Sequence, residues 1–259
     1  MTGQLAGLTI IVTRPAAQAG RFIERATAAG ARCIAFPTLA IEKLAIDPAT
    51  INGVRSRRWH WAIFTSANAV ESAFEQLSPP IASRTAAVGR ATARALERRD
   101  INVDARPESA NSEGLLSLTE FADLRGQGVL LVKGSGGREL LQDELRSRGA
   151  ELLVLEVYRR ALVAPAADAT SSLHEALLRK TERVVAATSA EVLDALLQLT
   201  PAGDIEALQD SRLLVPGPRV AAAASRLGWK GPILLAPTAE DDAMIAALIT
   251  QLPGQRSNA

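Results

Sequence analysis

The chain has one cysteine, Cys33, one tyrosine, Tyr158, and two histidines, His60 and His174, in 259 residues. A single thiol excludes an intramolecular disulfide, and the spacing of Cys33, His60 and His174 does not resemble a zinc site, so no metal is expected. Aromatic residues make up 3%, too few for the stacking platforms on which single-stranded nucleic acid is held. With 29 basic and 28 acidic residues, no global field exists to hold a polyanion or a membrane surface, and any anion site must be local. No stretch approaches about 18 consecutive apolar residues. The opening "MTGQLAGLTIIVTRP" has no basic segment followed by a long apolar core, and a cytoplasmic protein is the expectation. There is no G-x-S-x-G, and the histidines sit in "RRWHW" and on the helical pattern "SSLHEALL", which assigns them to solvent or packing rather than to a nucleophilic triad.

What is abundant is aliphatic. Hydrophobic residues reach 47%, so Ala, Leu, Val and Ile must fill the core, and the length suits two ordinary domains. A repeat with a period of about 120 residues organises the chain. "IIVTRPAAQAGRFIERATAAGARCIAFPTLAIEKL" matches "LLVKGSGGRELLQDELRSRGAELLVLEVYRRAL", each a strand, a loop, a helix stopped by Gly30 or Gly149, and a strand. "WAIFTSANAVESAFEQL" matches "VVAATSAEVLDALLQL", and "TAAVGRATARALERRDINV" matches "LLVPGPRVAAAASRLGW". Each half therefore reads β-α-β, β-α, β-α-β, closed by a helix beginning near Ser112 or Asp241.

Strands alternating with helices predict parallel sheets covered on both faces, and the continuous apolar runs "LTIIV", "GVLLV" and "RVVAA" suit strands buried on both sides. The fold class is α/β. From Glu151 to Ala164 the chain runs without Gly or Pro, about 45 Å if extended, roughly twice an ordinary strand. Its counterpart from Cys33 to Leu44 is broken by Pro37, a residue confined to strand edges and breaks. Both segments are expected to leave one sheet, continue into the other domain and pair with each other. Residues 1–37 and 163–259 then form a discontinuous first domain holding both termini, residues 41–158 a second, and 36–44 with 152–163 the crossing strands.

Strand-to-helix loops gather at one edge of a parallel sheet, where unsatisfied N–H groups and the positive ends of helix dipoles favour anions. Six such loops occur: "VTRPAAQAG", "FTSANA", "AVGRATA", "VKGSGGRE", "ATSAEV" and "VPGPRVA". Ser66 and Thr188 are candidate N-caps, and Thr188 with Glu191 has capping-box spacing. Capping alone accounts for any one of these hydroxyls. Their number, with Arg14, Arg90, Lys133 and Arg219 at or near strand ends, argues for a shared cleft taking a ligand with several carboxylates or phosphates. "KGSGGRE" lacks the order of a phosphate loop or a dinucleotide fingerprint. Tyr158 fits packing equally with proton donation at neutral pH.

The motifs "VTRP", "FTSANAV", "AVGRATARAL", "ANSEGLL", "GGRELLQDELRSRGAELLVLEVYRR", "ATSAEVL" and "VPGPRVAAAA", in this order, resemble the uroporphyrinogen-III synthase family across essentially the whole chain. The resemblance implies two parallel-sheet, three-layer α/β domains joined by a two-stranded β-ladder, with the active site in the cleft between them. It implies cyclisation of the linear tetrapyrrole hydroxymethylbilane, in tetrapyrrole and heme biosynthesis, with no metal or organic cofactor. Loss of the terminal hydroxyl as water gives an azafulvene, the far end attacks through a substituted carbon of ring D, and a spiro intermediate recloses with that ring inverted. Little acid–base chemistry falls to the protein; it must hold the chain ends together and stabilise developing charge.

Tyr158 matches the family's tyrosine in the second crossing strand and becomes the donor to the leaving hydroxyl. Thr92 matches the threonine of the first G-x-A-T-A loop, and Thr65, Ser66 and Ser189 match the Thr-Ser helix starts. Gly89, Arg90, Lys133, Gly134, Arg138, Thr188 and Gly217 join Arg14 as expected substrate contacts. Other members often carry Thr-Thr after Gly-Pro in the last loop, where this chain has Arg219 and Val220, so a carboxylate contact from Arg219 replaces a hydroxyl there. The expected partners are the substrate and, transiently, the preceding pathway enzyme, with the chain a monomer that binds neither nucleic acid nor membrane. Two alternatives remain at this stage: a two-lobed binding protein for a small polyanion, and a nucleotide-dependent transferase using "KGSGGRE".

Overall fold

A computed structural model describes residues 3–137, 139–179 and 181–252. In chain order β1 (Thr9–Val12), α1 (Ala16–Ala28) and β2 (Arg32–Ala35) come first, and β3 (Leu39–Lys43) follows Pro37. Next are α2 (Pro48–Ser56), β4 (Trp61–Phe64), α3 (Ala67–Phe74), β5 (Arg84–Ala87), α4 (Arg90–Glu97) and α5 (Ser112–Leu116). The middle of the chain ends with β6 (Gly128–Gly134), α6 (Leu140–Ser147) and the long β7 (Glu151–Leu162). The remainder is α7 (Ala167–Leu178), β8 (Arg183–Ala186), α8 (Ala190–Leu199), α9 (Ile205–Gln209), β9 (Arg212–Pro216), α10 (Gly217–Arg226), β10 (Ile233–Ala236) and α11 (Asp241–Gln251).

Two units result, one from the residues up to Ala40 with those from Ala161 onward, the other from Ile41 to Arg160. The first unit holds a five-stranded sheet in the order β10-β9-β8-β1-β2, parallel throughout. Successive residues of β1 serve opposite faces, as the two-residue period of a strand requires. Ile10 and Val12 join a core with Phe22 of α1 and Met244 and Leu248 of α11. Ile11 faces a second core with Leu173 of α7, Leu196 of α8 and Ala224 of α10. Each fully buried aliphatic or aromatic side chain of this kind contributes about 1.5–3 kcal/mol.

The second sheet has the order β3-β7-β6-β4-β5, with β7, β6, β4 and β5 parallel. Ala62 and Phe64 point to a core with Val54 of α2, Val70 of α3 and Leu96 of α4, while Trp61 and Ile63 face Leu115 of α5 and Leu145 of α6. At the β3 edge, Leu44 N–H donates to Val157 O and Val163 N–H to Thr38 O. Those two bonds climb one strand while descending the other, so β3 runs antiparallel to β7. Thus β7 lies between β3 and β6 in the sheet while carrying the chain across the unit boundary at Ala161.

Helix ends follow local chemistry. Gly30 and Gly149 adopt φ of 98° and 88° just past α1 and α6, the left-handed stop expected there. Asp47 caps α2 ahead of Pro48. At α8 the cap is one residue later than the capping-box spacing suggested: Ser189 Oγ accepts the Val192 N–H, and Thr188 precedes the helix. The third module of the first half also differs from expectation. "INV" forms no strand, and only an isolated bridge joins Ala86 to Ala105. The Asp104 carboxylate accepts the Thr85 N–H at 2.7 Å, taking a donor that a continuing ladder would use.

Candidate functional site

The strand-to-helix loops of each unit lie at the carboxyl edge of its own parallel sheet, so each unit presents one rim of helix starts. In the second unit, β4 ends in Thr65, whose N–H donates to Val132 O at 3.1 Å, and Ser66, which begins α3. Ser66 adopts an extended backbone, and its Oγ accepts the Ala69 N–H at 3.1 Å. Serine suits this position because its short hydroxyl satisfies an N–H that the helix leaves open.

Tyr158 reaches the same place from β7. Its hydroxyl lies 3.0 Å from Ser66 Oγ, and its residue is 3% exposed, packed with Phe64, Val132 and Val157. Tyr158 stands opposite Gly134 where the β6–β7 register shifts, and Ser135 N–H donates to the Tyr158 carbonyl at 2.7 Å. A Cβ on Gly134 would fall 2.5 Å from Tyr158 Cζ and under 3.0 Å from both Cε carbons, so only glycine lets the ring lie there.

Lys133, one residue earlier, is nearly buried, with Nζ 3.8 Å from Glu156 Oε1. Gly89 begins α4 without a side-chain cap, Arg90 is exposed, and Thr92 is buried on the inner face of that helix. Ala110, in the "ANSEG" stretch, stands against Gly89, 3.3 Å from where a Cβ would be. The helix expected near Ser112 begins here, capped by Asn111, whose Oδ1 accepts Gly114 N–H at 2.7 Å; sequence reasoning assigns no site residue to this stretch.

In the first unit, Thr188 and the Ser189 cap are half-buried at the start of α8. Gly217 opens α10 at φ 75° ahead of Pro218, and Arg219 is exposed beside it. Arg14 is different. Its guanidinium is buried, bonded to Asp241 at the start of α11 and, at 3.0 Å, to Ala239 O, and it lies 4.9 Å from the Phe22 ring centroid. Burial pulls its pKa below the ordinary guanidinium value, with Asp241 opposing the shift. Among the described residues, Arg90 and Arg219 have no carboxylate partner, whereas Arg14 and Lys133 have one each. Arg138 lies outside the described residues.

Parallel α/β units whose helix starts, hydroxyls and two unpaired cations collect along their carboxyl rims define a protein suited to binding a polyanionic small molecule. The family described as uroporphyrinogen-III synthase HemD matches residues 20–246. Uroporphyrinogen-III synthase of Salmonella typhimurium is 33% identical over 251 residues, spanning 93% of this chain and 100% of that protein. The Escherichia coli enzyme of the same name is 37% identical over 166 residues, 62% of this chain and 65% of that one. Among solved structures, a mutant uroporphyrinogen III synthase of Thermus thermophilus superposes with a TM-score of 0.62 at 24% identity, covering 94% of this chain and 99% of that chain. The Helicobacter pylori protein does so at 0.61 and 18% identity, covering 94% and 99%; these two likenesses concern the fold. The chain belongs to the uroporphyrinogen-III synthase family.

Proposed function

We propose that the chain closes hydroxymethylbilane into uroporphyrinogen III, the reaction of its family, with Tyr158 as proton donor and helix-start rims as holders of the substrate's carboxylates. The substrate is a flexible acid with eight carboxylates, and its two ends must meet for the ring to close. N–H groups at the starts of α3, α4, α8 and α10, the hydroxyls of Thr65, Thr188 and Ser189, and the cations of Arg90 and Arg219 supply donors for those carboxylates; Thr92, buried on the inner face of α4, supports that rim from behind. Arg14 and Lys133, each beside a carboxylate of the chain, shape the rims instead of meeting the substrate. Holding the chain curled contributes through proximity, which converts an improbable encounter of distant ends into a local one.

The observation that carries this reading is the placement of the chain's only tyrosine at a helix start, its hydroxyl 3.0 Å from Ser66 Oγ. A neutral phenol donates a proton to the departing hydroxyl, which leaves as water and generates the azafulvene electrophile. The far ring then attacks through its substituted carbon, and the spiro intermediate recloses with ring D inverted. The enzyme acts as a cytoplasmic monomer, each unit closing its own cores, and takes its substrate from the preceding enzyme by transient contact.

The test is Tyr158→Phe, which keeps the ring and removes the hydroxyl. Turnover of enzymatically generated hydroxymethylbilane is expected to fall about a hundredfold, the low end for a general acid, while the melting temperature shifts by a few degrees at most. Wild-type turnover would return Tyr158 to a packing role.

A further inference from the structure

We infer that Ser66 is the positioning residue for Tyr158, donating its hydroxyl hydrogen to the phenol oxygen so that the phenol's own hydrogen is free to face the substrate. The inference rests on Tyr158 being the proton donor. The two oxygens are 3.0 Å apart, and geometry alone permits either to donate. The neighbouring bonds favour donation by Ser66. Ser66 Oγ already accepts the Ala69 N–H at 3.1 Å, which engages one lone pair and polarises the O–H outward, strengthening it as a donor. The positive end of α3 acts in the same sense.

The ring has no freedom to seek another partner. Gly134 backs it so closely that an added Cβ would lie 2.5 Å from Cζ, and Ser135 N–H fixes the Tyr158 carbonyl at 2.7 Å. Once the phenol gives up its proton, the oxygen becomes an anion at the margin of the core that holds Phe64, Val132 and Val157, with the Arg160 guanidinium 5.9 Å from the ring centroid. An anion there is costly without a donor, and Ser66 is the hydroxyl in place to supply one.

The duplicated half provides an internal control. Ser189 caps α8 with φ −157° and ψ 164°, against −158° and 161° for Ser66. Its Oγ likewise accepts an N–H, from Val192 at 3.2 Å, yet no aromatic hydroxyl meets it among the described residues. Capping therefore needs no tyrosine, and the Ser66–Tyr158 bond is an addition to the cap.

The experiment compares Ser66→Gly, Ser66→Thr, Tyr158→Phe and the Ser66→Gly/Tyr158→Phe double variant, measuring kcat, KM and melting temperature with enzymatically generated hydroxymethylbilane. Glycine is tolerated at an N-cap, so Ser66→Gly should melt within a few degrees of wild type. Its kcat should fall about tenfold, the scale of one lost hydrogen bond to a group that becomes charged, with KM within about twofold. Ser66→Thr, which retains cap and hydroxyl, should restore most of kcat. The double variant should be no slower than Tyr158→Phe, because the serine acts only through the phenol. A Ser66→Gly enzyme at full kcat, or a double variant slowed by the product of the two single effects, overturns the inference while leaving the proton-donor reading intact. A Tyr158→Phe enzyme at full speed removes both.

Discussion

A hydrogen atom on Gly134 separates a seated phenol from a displaced one. Replacing it with a methyl group, as in Gly134→Ala, puts a carbon 2.5 Å from Tyr158 Cζ, a distance at which the ring or the end of β6 must move. Overpacking of this kind costs about 1–3 kcal/mol. The displaced hydroxyl should also lose Ser66, so kcat is expected to drop at least tenfold while the far-ultraviolet circular dichroism is preserved; an alanine variant with full turnover would show that the ring's seat is irrelevant. Cys33 yields a second prediction at this scale. Burial raises its thiol pKa above the ordinary value, an effect that a hydrogen bond with Thr27 partly offsets. Less thiolate means slower alkylation. Iodoacetamide at pH 8 should label the native chain at least several-fold more slowly than the unfolded chain, and equal rates would contradict the burial assigned to it.

At the scale of elements, the Arg14–Asp241 pair ties the loop after β1 to the start of α11, elements that also share the core around Phe22 and Met244. Arg14→Met leaves the half-buried Asp241 with only Arg21, 3.9 Å away, as a cation. Losing a hydrogen bond to a charged group costs about 1.5–3 kcal/mol. Thermal unfolding should register that loss, whereas Arg90→Glu and Arg219→Glu should leave melting nearly unchanged and raise KM. At the start of α2, hydrogen bonds from the Thr50 side chain and backbone hold the Asp47 carboxyl below its ordinary pKa of 3.8. Because the folded value is depressed, the cap's contribution is present above the unfolded pKa and is lost as pH falls through the folded one. The stability of wild type relative to Asp47→Asn, whose cap is neutral, should therefore decline below about pH 4.

The alternation of strands and helices was legible because the apolar runs are uninterrupted and glycines punctuate α1 and α6. Less was legible where side chains compete with backbone. Asp104 takes the Thr85 N–H, an event that composition around "DINVDA" does not announce, and so the predicted strand shrinks to a single bridge. Ser189 and Thr188 are both of capping type, serine the better of the two; the backbone turn at the helix start decides for Ser189. The rims were readable from loop sequences, while the fate of their cations was not. Arg14 and its carboxylate partner are 227 residues apart, and such a pairing depends on the packing of α11, which no local pattern encodes.

For the molecule as a whole, near-neutral charge, with 29 basic against 28 acidic residues, leaves substrate capture to local donors rather than a long-range field. Salt should weaken substrate binding through the exposed Arg90 and Arg219 contacts, while the amide and hydroxyl donors are screened less. Free hydroxymethylbilane closes on its own to the type I isomer, so ring inversion is the signature of a chain held in the required curl. The most direct measurement is the isomer composition formed when the purified protein is mixed with freshly generated hydroxymethylbilane. Uroporphyrinogen III as the dominant product is the outcome predicted; uroporphyrinogen I alone, at the spontaneous rate, would contradict the account.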